Sequence, residues 1–86
     1  MITIELFGVP RLRAGTARVQ LEAASLAAAL RALGRICPAL DGAVIAGAAL
    51  HPAYRACLNG EQFVSDPATP LADGDVLLLL SADVGG

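Results

Sequence analysis

The apolar positions change period along the chain, and the changes mark out its elements. Ile2, Ile4 and Leu6 alternate with Thr3, Glu5 and Phe7, the period-two pattern of a strand with one buried face. Gly8-Val9-Pro10 ends that strand, and Arg11 to Gly15 reads as a loop. Residues 17–21 form a second strand with Val19 and Leu21 on one side. The period then becomes helical. Ser25 stands where an N-cap belongs, and Leu26, Ala29, Leu30 and Leu33 recur at i, i+3, i+4 and i+7. Gly34 is expected to close the helix as a left-handed C-cap.

Residues 35–53, broken by Pro38, Gly42, Gly47 and Pro52, read as largely irregular, with 43–50 either a short strand or an apolar irregular segment. Arg55 to Leu58 returns to a strand. Asn59-Gly60 is a strong hairpin signal, because a two-residue type I′ turn needs positive φ at both positions. Glu61 to Val64 forms the return strand. Asp73-Gly74-Asp75 is a tight turn, and Val76 to Leu80 is an unbroken apolar strand. The order β-β-α-β-β-β predicts an α+β domain of four to five strands with one main helix across one face. The long crossover predicts that the last strand lies beside the first, in mid-sheet. The domain is expected to span residues 1–80, and 81–86 to form a flexible C-terminal tail.

Composition narrows the function. The 86 residues allow one domain. The chain is 56% hydrophobic with 3% aromatics, so the core is built from Leu, Ile, Val and Ala. Net charge is −2, and the six cationic side chains are all arginine, scattered without aromatic interleaving. That pattern excludes a nucleic-acid binder. With no lysine, the chain offers no side-chain amine to a conjugation reaction. Cys37 and Cys57 read as buried free thiols, and with His51 they match no zinc spacing. The N-terminus reads as a strand rather than a signal peptide, and no apolar stretch is long enough to span a bilayer. A soluble cytoplasmic protein is expected.

Two features carry chemistry. One is the terminal Gly85-Gly86. A frayed end is its plain alternative. Yet six residues follow Leu80 and reach roughly 20 Å when extended, and glycines lacking Cβ can thread a narrow channel beside a nucleotide. A carboxylate there is a poor electrophile and needs activation, for example as an acyl-adenylate, before a sulfur nucleophile can attack. The chain supplies no such catalyst and would be the substrate of an ATP-using partner. The other feature is the strand 76–80. Alternate leucines face opposite sides, so one set is left exposed as a partner surface unless residues 35–53 cover it.

The stretches Leu58-Asn59-Gly60-Glu61 and Pro70-Leu71-Ala72-Asp73-Gly74-Asp75-Val76, the apolar strand and the Gly-Gly end resemble the MoaD/ThiS family of ubiquitin-like sulfur carriers. Leu6-Phe7-Gly8 with Arg11 and Gly15, and Ser25 with Leu26, Leu30 and Leu33, extend the resemblance over all but residues 35–53. Length and pattern are most similar to small subunits of molybdopterin synthase.

The resemblance implies a β-grasp (ubiquitin-like) fold and a carrier with no catalysis of its own. An adenylating enzyme related to ubiquitin-activating enzymes would use Mg-ATP on the Gly86 carboxylate, with Gly85 beside it. A persulfide protein would donate sulfur to give a thiocarboxylate. A large synthase subunit, or another sulfur-acceptor enzyme, would receive it for molybdopterin (molybdenum cofactor) biosynthesis. The alternatives are thiamine, tRNA thiolation or cysteine synthesis, or use as a protein modifier. No metal site and no permanently bound cofactor are implied. Leu78, Leu80, Ala82 and Val84 would contact partners, with Leu77 and Leu79 facing the core. Val76 and Ser81-Ala82-Asp83 depart from the family pattern of an acidic residue and of a proline-bearing or apolar tail.

Overall fold

The computed structural model describes residues 1–82. Its elements are β1 (Ile2–Leu6), α1 (Gly8–Ala14), β2 (Arg18–Leu21), α2 (Leu26–Ile36), a 3-10 turn (Pro38–Leu40), β3 (Ile45–Ala46), β4 (Ala49–Leu50), β5 (Tyr54–Leu58), β6 (Gln62–Val64) and β7 (Val76–Ser81). The main sheet has the order β2-β1-β7-β5-β6, and β3 and β4 form a separate two-stranded hairpin. β1 and β7 run parallel at the centre, and every other neighbouring pair is antiparallel. This is the β-grasp arrangement, a mixed sheet gripping one main helix.

The core lies on one face. Ile2, Ile4, Leu6, Leu77 and Leu79 point inward from the two central strands. Leu26, Ala29, Leu30 and Leu33 meet them from α2, the stripe that the helical spacing predicts. Ser25 caps α2 by accepting a hydrogen bond from the Ala28 N–H (3.2 Å). Leu40, Val44 and Ile45 complete the same cluster. Residues 38–50 thus pack on the helix side and place no element over the opposite face, where Leu78 and Leu80 stay partly exposed.

Three local expectations are corrected. Residues 8–14 are helical, not a turn and loop. Pro10 sits in the first helical turn, where a missing N–H costs nothing, and Gly15, at φ 74°, ends the helix in the left-handed region. Gly34 does not end α2. The helix continues to Ile36 and stops at Cys37, φ −121° and ψ 79°, because Pro38 disfavours helical backbone in the residue before it. Residues 43–50, read as largely irregular, hold the β3–β4 hairpin.

The hairpin at 59–60 has the expected positive φ at both positions, but its loop is one residue longer than a two-residue turn: Leu58 pairs with Gln62, which leaves residues 59–61 between them. Asn59 has φ 55° and Gly60 φ 70°. Asn59 also ties this turn to the start of β7. Its backbone N–H donates to the Val76 carbonyl (2.7 Å), and its side-chain oxygen accepts from the Val76 N–H (2.8 Å). Its Nδ2 donates to the Asp75 carboxylate (3.1 Å), which also accepts from the Ala72 N–H (2.8 Å). The Ala72 bond first, and the Asn59 bond second, hold Asp75 below the usual aspartate range. Asp75 is therefore a turn residue rather than half of a catalytic pair.

Candidate functional site: the open sheet face and the root of the tail

The uncovered sheet face follows from strand register. Residues directly opposite each other share a face. One row across the sheet reads Arg18, Glu5, Leu78, Cys57 and Phe63. The next row toward the end of β7 holds Leu80 beside Arg55, with Phe7 continuing β1 at that level. Leu77 and Leu79 are fully buried, whereas Leu78 and Leu80 are only partly covered. Phe63 is 66% and Phe7 44% exposed. An apolar strip therefore crosses the open face, with the Arg18–Glu5 ion pair (3.4 Å) on its flank.

The alternation along β7 predicts the outward leucines. Phe7, Arg55, Cys57 and Phe63 are missed when that strand is considered alone. The Asn59-Gly60 signal does not reveal them. A two-residue loop would set Cys57 opposite Gln62, whereas the observed register leaves residues 59–61 between Leu58 and Gln62, sets Cys57 opposite Phe63 and so extends the leucine row by two strands. Both cysteines are free and buried, but only Cys37 belongs to the core cluster. Burial pushes the Cys37 thiol up.

β7 delivers the chain to the edge of this face. It runs through Ser81, opposite Tyr54, and the Ala82 N–H donates to the Ala53 carbonyl (2.7 Å). Ala82 is exposed. Gly8 lies beside this exit: it has φ +58°, and a Cβ there would come 3.9 Å from the Ser81 Oγ. Helix α1 therefore packs against the root of the tail. Val84, Gly85 and Gly86 lie outside the described residues.

Elsewhere little chemistry assembles. On the helix side, a groove of about 190 Å³ is lined by Leu26, Leu30, Leu50, Tyr54, Ala56 and Val64, with His51 at its margin. His51 Nε2 lies 2.9 Å from the Gly42 carbonyl, a loop-bracing contact. No group of histidine, cysteine or carboxylate side chains suited to a metal ion occurs among the described residues. No helix among them is long and apolar enough to cross a membrane.

No protein-family model matches the chain, and no curated protein matches it. Solved structures do. The crystal structure of SAMP1 from Haloferax volcanii is 27% identical, with a TM-score of 0.84 over 99% of this chain and 98% of that one. The solution structure of small archaeal modifier protein 1 from Methanosarcina acetivorans is 23% identical, TM-score 0.80, over 99% and 95%. A chain of the Amycolatopsis orientalis BexX/CysO complex is 19% identical, TM-score 0.82, over the full length of both. These likenesses run end to end, and the chain has the ubiquitin-like β-grasp fold.

Proposed function

We propose that this chain is a sulfur carrier whose Gly86 carboxylate is adenylated by a partner enzyme and converted to a thiocarboxylate. The observation that carries this reading is the exit of the central strand. β7 leaves the sheet at Ser81 beside an open apolar strip, and the sequence runs on to Gly85-Gly86. Residues 82–86 span about 17 Å when extended. A partner seated on the strip can therefore receive the last two glycines in its own active site.

The chemistry belongs to that partner. The Gly86 carboxylate attacks the α-phosphorus of Mg-ATP and pyrophosphate leaves. A persulfide sulfur then attacks the acyl carbon and AMP leaves. Cleavage of the remaining S–S bond by a thiol frees the thiocarboxylate. The carrier contributes reach, a tail end without side chains and a docking face. Within this reading the acceptor is a molybdopterin precursor held by a large synthase subunit, following the resemblance of the 58–61 and 70–76 segments to the MoaD/ThiS family.

A second reading has its own support. The neighbour SAMP1 is named a modifier protein, so the same acyl-adenylate could join Gly86 to a lysine of another protein. Intact mass after incubation with an adenylating enzyme, Mg-ATP and a persulfide donor tests the first reading. One oxygen of Gly86 replaced by sulfur is expected. An unchanged mass with enzymes that load other β-grasp carriers would sink it. An isopeptide-linked Gly-Gly on a target lysine would establish the second.

A further inference from the structure

Charge is separated along the strand direction. Because β1 and β7 are parallel, both enter the sheet at one end and leave it at the other. The entry end carries Glu22, Glu61, Asp73 and Asp75, with the Met1 ammonium beside Asp73 and Glu22. The exit end carries Arg11 and Arg13 on α1, Arg18 at the start of β2, and Arg55 opposite Leu80. Arg35 joins them from the last turn of α2, which reaches this end through the 3-10 turn packed on α1. All five are exposed. Among the described residues two carboxylates face them, Glu5, already paired with Arg18, and Asp41 after the 3-10 turn; Asp83 follows Ala82 in the sequence and lies outside the described residues. Arg11, Arg13, Arg35 and Arg55 make no ion pair among the described residues.

We infer that this arginine ring around the tail root is a docking surface for an acidic protein surface bordering the channel that receives the C-terminus. The inference rests on the carrier reading for the partner's role. Its electrostatic content stands on the charge layout alone. The whole chain is net negative, so an acidic surface is repelled by the molecule at large and attracted at one pole only. Within about 10 Å, the screening length near 0.1 M salt, that pole dominates. Such a field both orients the encounter and raises its rate. Guanidinium groups pair with carboxylates in a two-pronged geometry. The same end exposes Phe7 (44%) and Leu12 (82%). Apolar anchors with a charged rim suit a protein partner better than a phosphate backbone.

The test uses the 15N-labelled full chain titrated with poly-L-glutamate at about 20 mM salt, with poly-L-lysine and a single-stranded DNA oligonucleotide as comparisons. Polyglutamate is expected to shift amides of residues 7–18, 54–56 and 80–82, and polylysine those near Glu22, Glu61 and Asp73. Raising salt to about 200 mM, or the triple change R11E/R13E/R55E with an unaltered melting temperature, is expected to weaken polyglutamate binding by about tenfold or more. Shifts scattered evenly over the surface, no shifts, or tighter binding of the DNA would overturn the inference. With an enzyme that loads Gly86, the triple variant is expected to raise KM for the carrier while keeping kcat, and an unchanged KM would also overturn it. An enzyme that fails on the unaltered chain counts against the carrier reading, and the polyglutamate titration still decides the surface.

Discussion

Leu79→Ala and Leu80→Ala, adjacent on β7, test which face of the sheet is open. Leu79 is fully buried, in register with Leu6 and Ala56 and inside the cluster beneath α2. Truncating a leucine in such a site removes its transfer energy and leaves a cavity, at about 3–4 kcal/mol. A domain of 86 residues holds about 4–13 kcal/mol in total, so the variant loses a large share of its stability. With a urea m-value of about 1 kcal/mol/M, the midpoint falls by about 3 M. Leu80 lies one residue on, partly covered, facing the other way. Its truncation is expected to cost about 1 kcal/mol or less. Urea unfolding followed by circular dichroism reads both values. Equal losses would mean that something covers the outer face, and the docking strip would not exist.

One residue added after Gly86 is expected to abolish loading by an adenylating enzyme while leaving the urea midpoint in place; loading at the normal rate would refute the terminal-carboxylate reading. Leu80→Glu is expected to weaken association with that enzyme and keep the monomer soluble, as read by titration calorimetry and gel filtration. Asn59→Ala removes side-chain bonds to Val76 and Asp75 and strains a backbone at φ 55°, at about 1–2 kcal/mol. Asn59→Gly relieves the strain and isolates the hydrogen-bond share. Asp75 is held below its ordinary value in the folded chain, so its contribution to stability is present above the unfolded value and is lost as pH falls through the folded one. Asp75→Asn is expected to flatten that acid limb of a melting-temperature profile, and an unaltered limb would assign it to other carboxylates.

How much of this was legible in the chain depended on the range of the interaction. The strand alternation at 2–6 and 76–80 and the helical stripe of Leu26, Ala29, Leu30 and Leu33 are local patterns with the geometry their spacing implies, whereas the Asn59-Gly60 turn has the implied positive φ but a register one residue longer than a two-residue turn gives. Their order also gives the parallel β1–β7 pair. Gly34 misled because a glycine permits a helix end without compelling one, whereas Pro38 compels it. α1 was hidden because Gly8 and Pro10 read as breakers. Its place against β7 is a tertiary matter, and so is the folding of Leu40, Val44 and Ile45 under α2.

By itself, then, the sequence determined which residues share a face of each strand and of the main helix, since side-chain period is a property of local backbone geometry. It also shows glycines at positions 85 and 86 and no lysine among the 86 residues. Only the tertiary structure decided that residues 38–50 join the helix side and leave Leu78 and Leu80 only partly covered. It alone gathered Arg11, Arg13, Arg18, Arg35 and Arg55, scattered along the chain, at the end where β7 leaves the sheet. Both outcomes depend on how distant segments pack, and sheet register and core burial settle that between residues far apart in sequence.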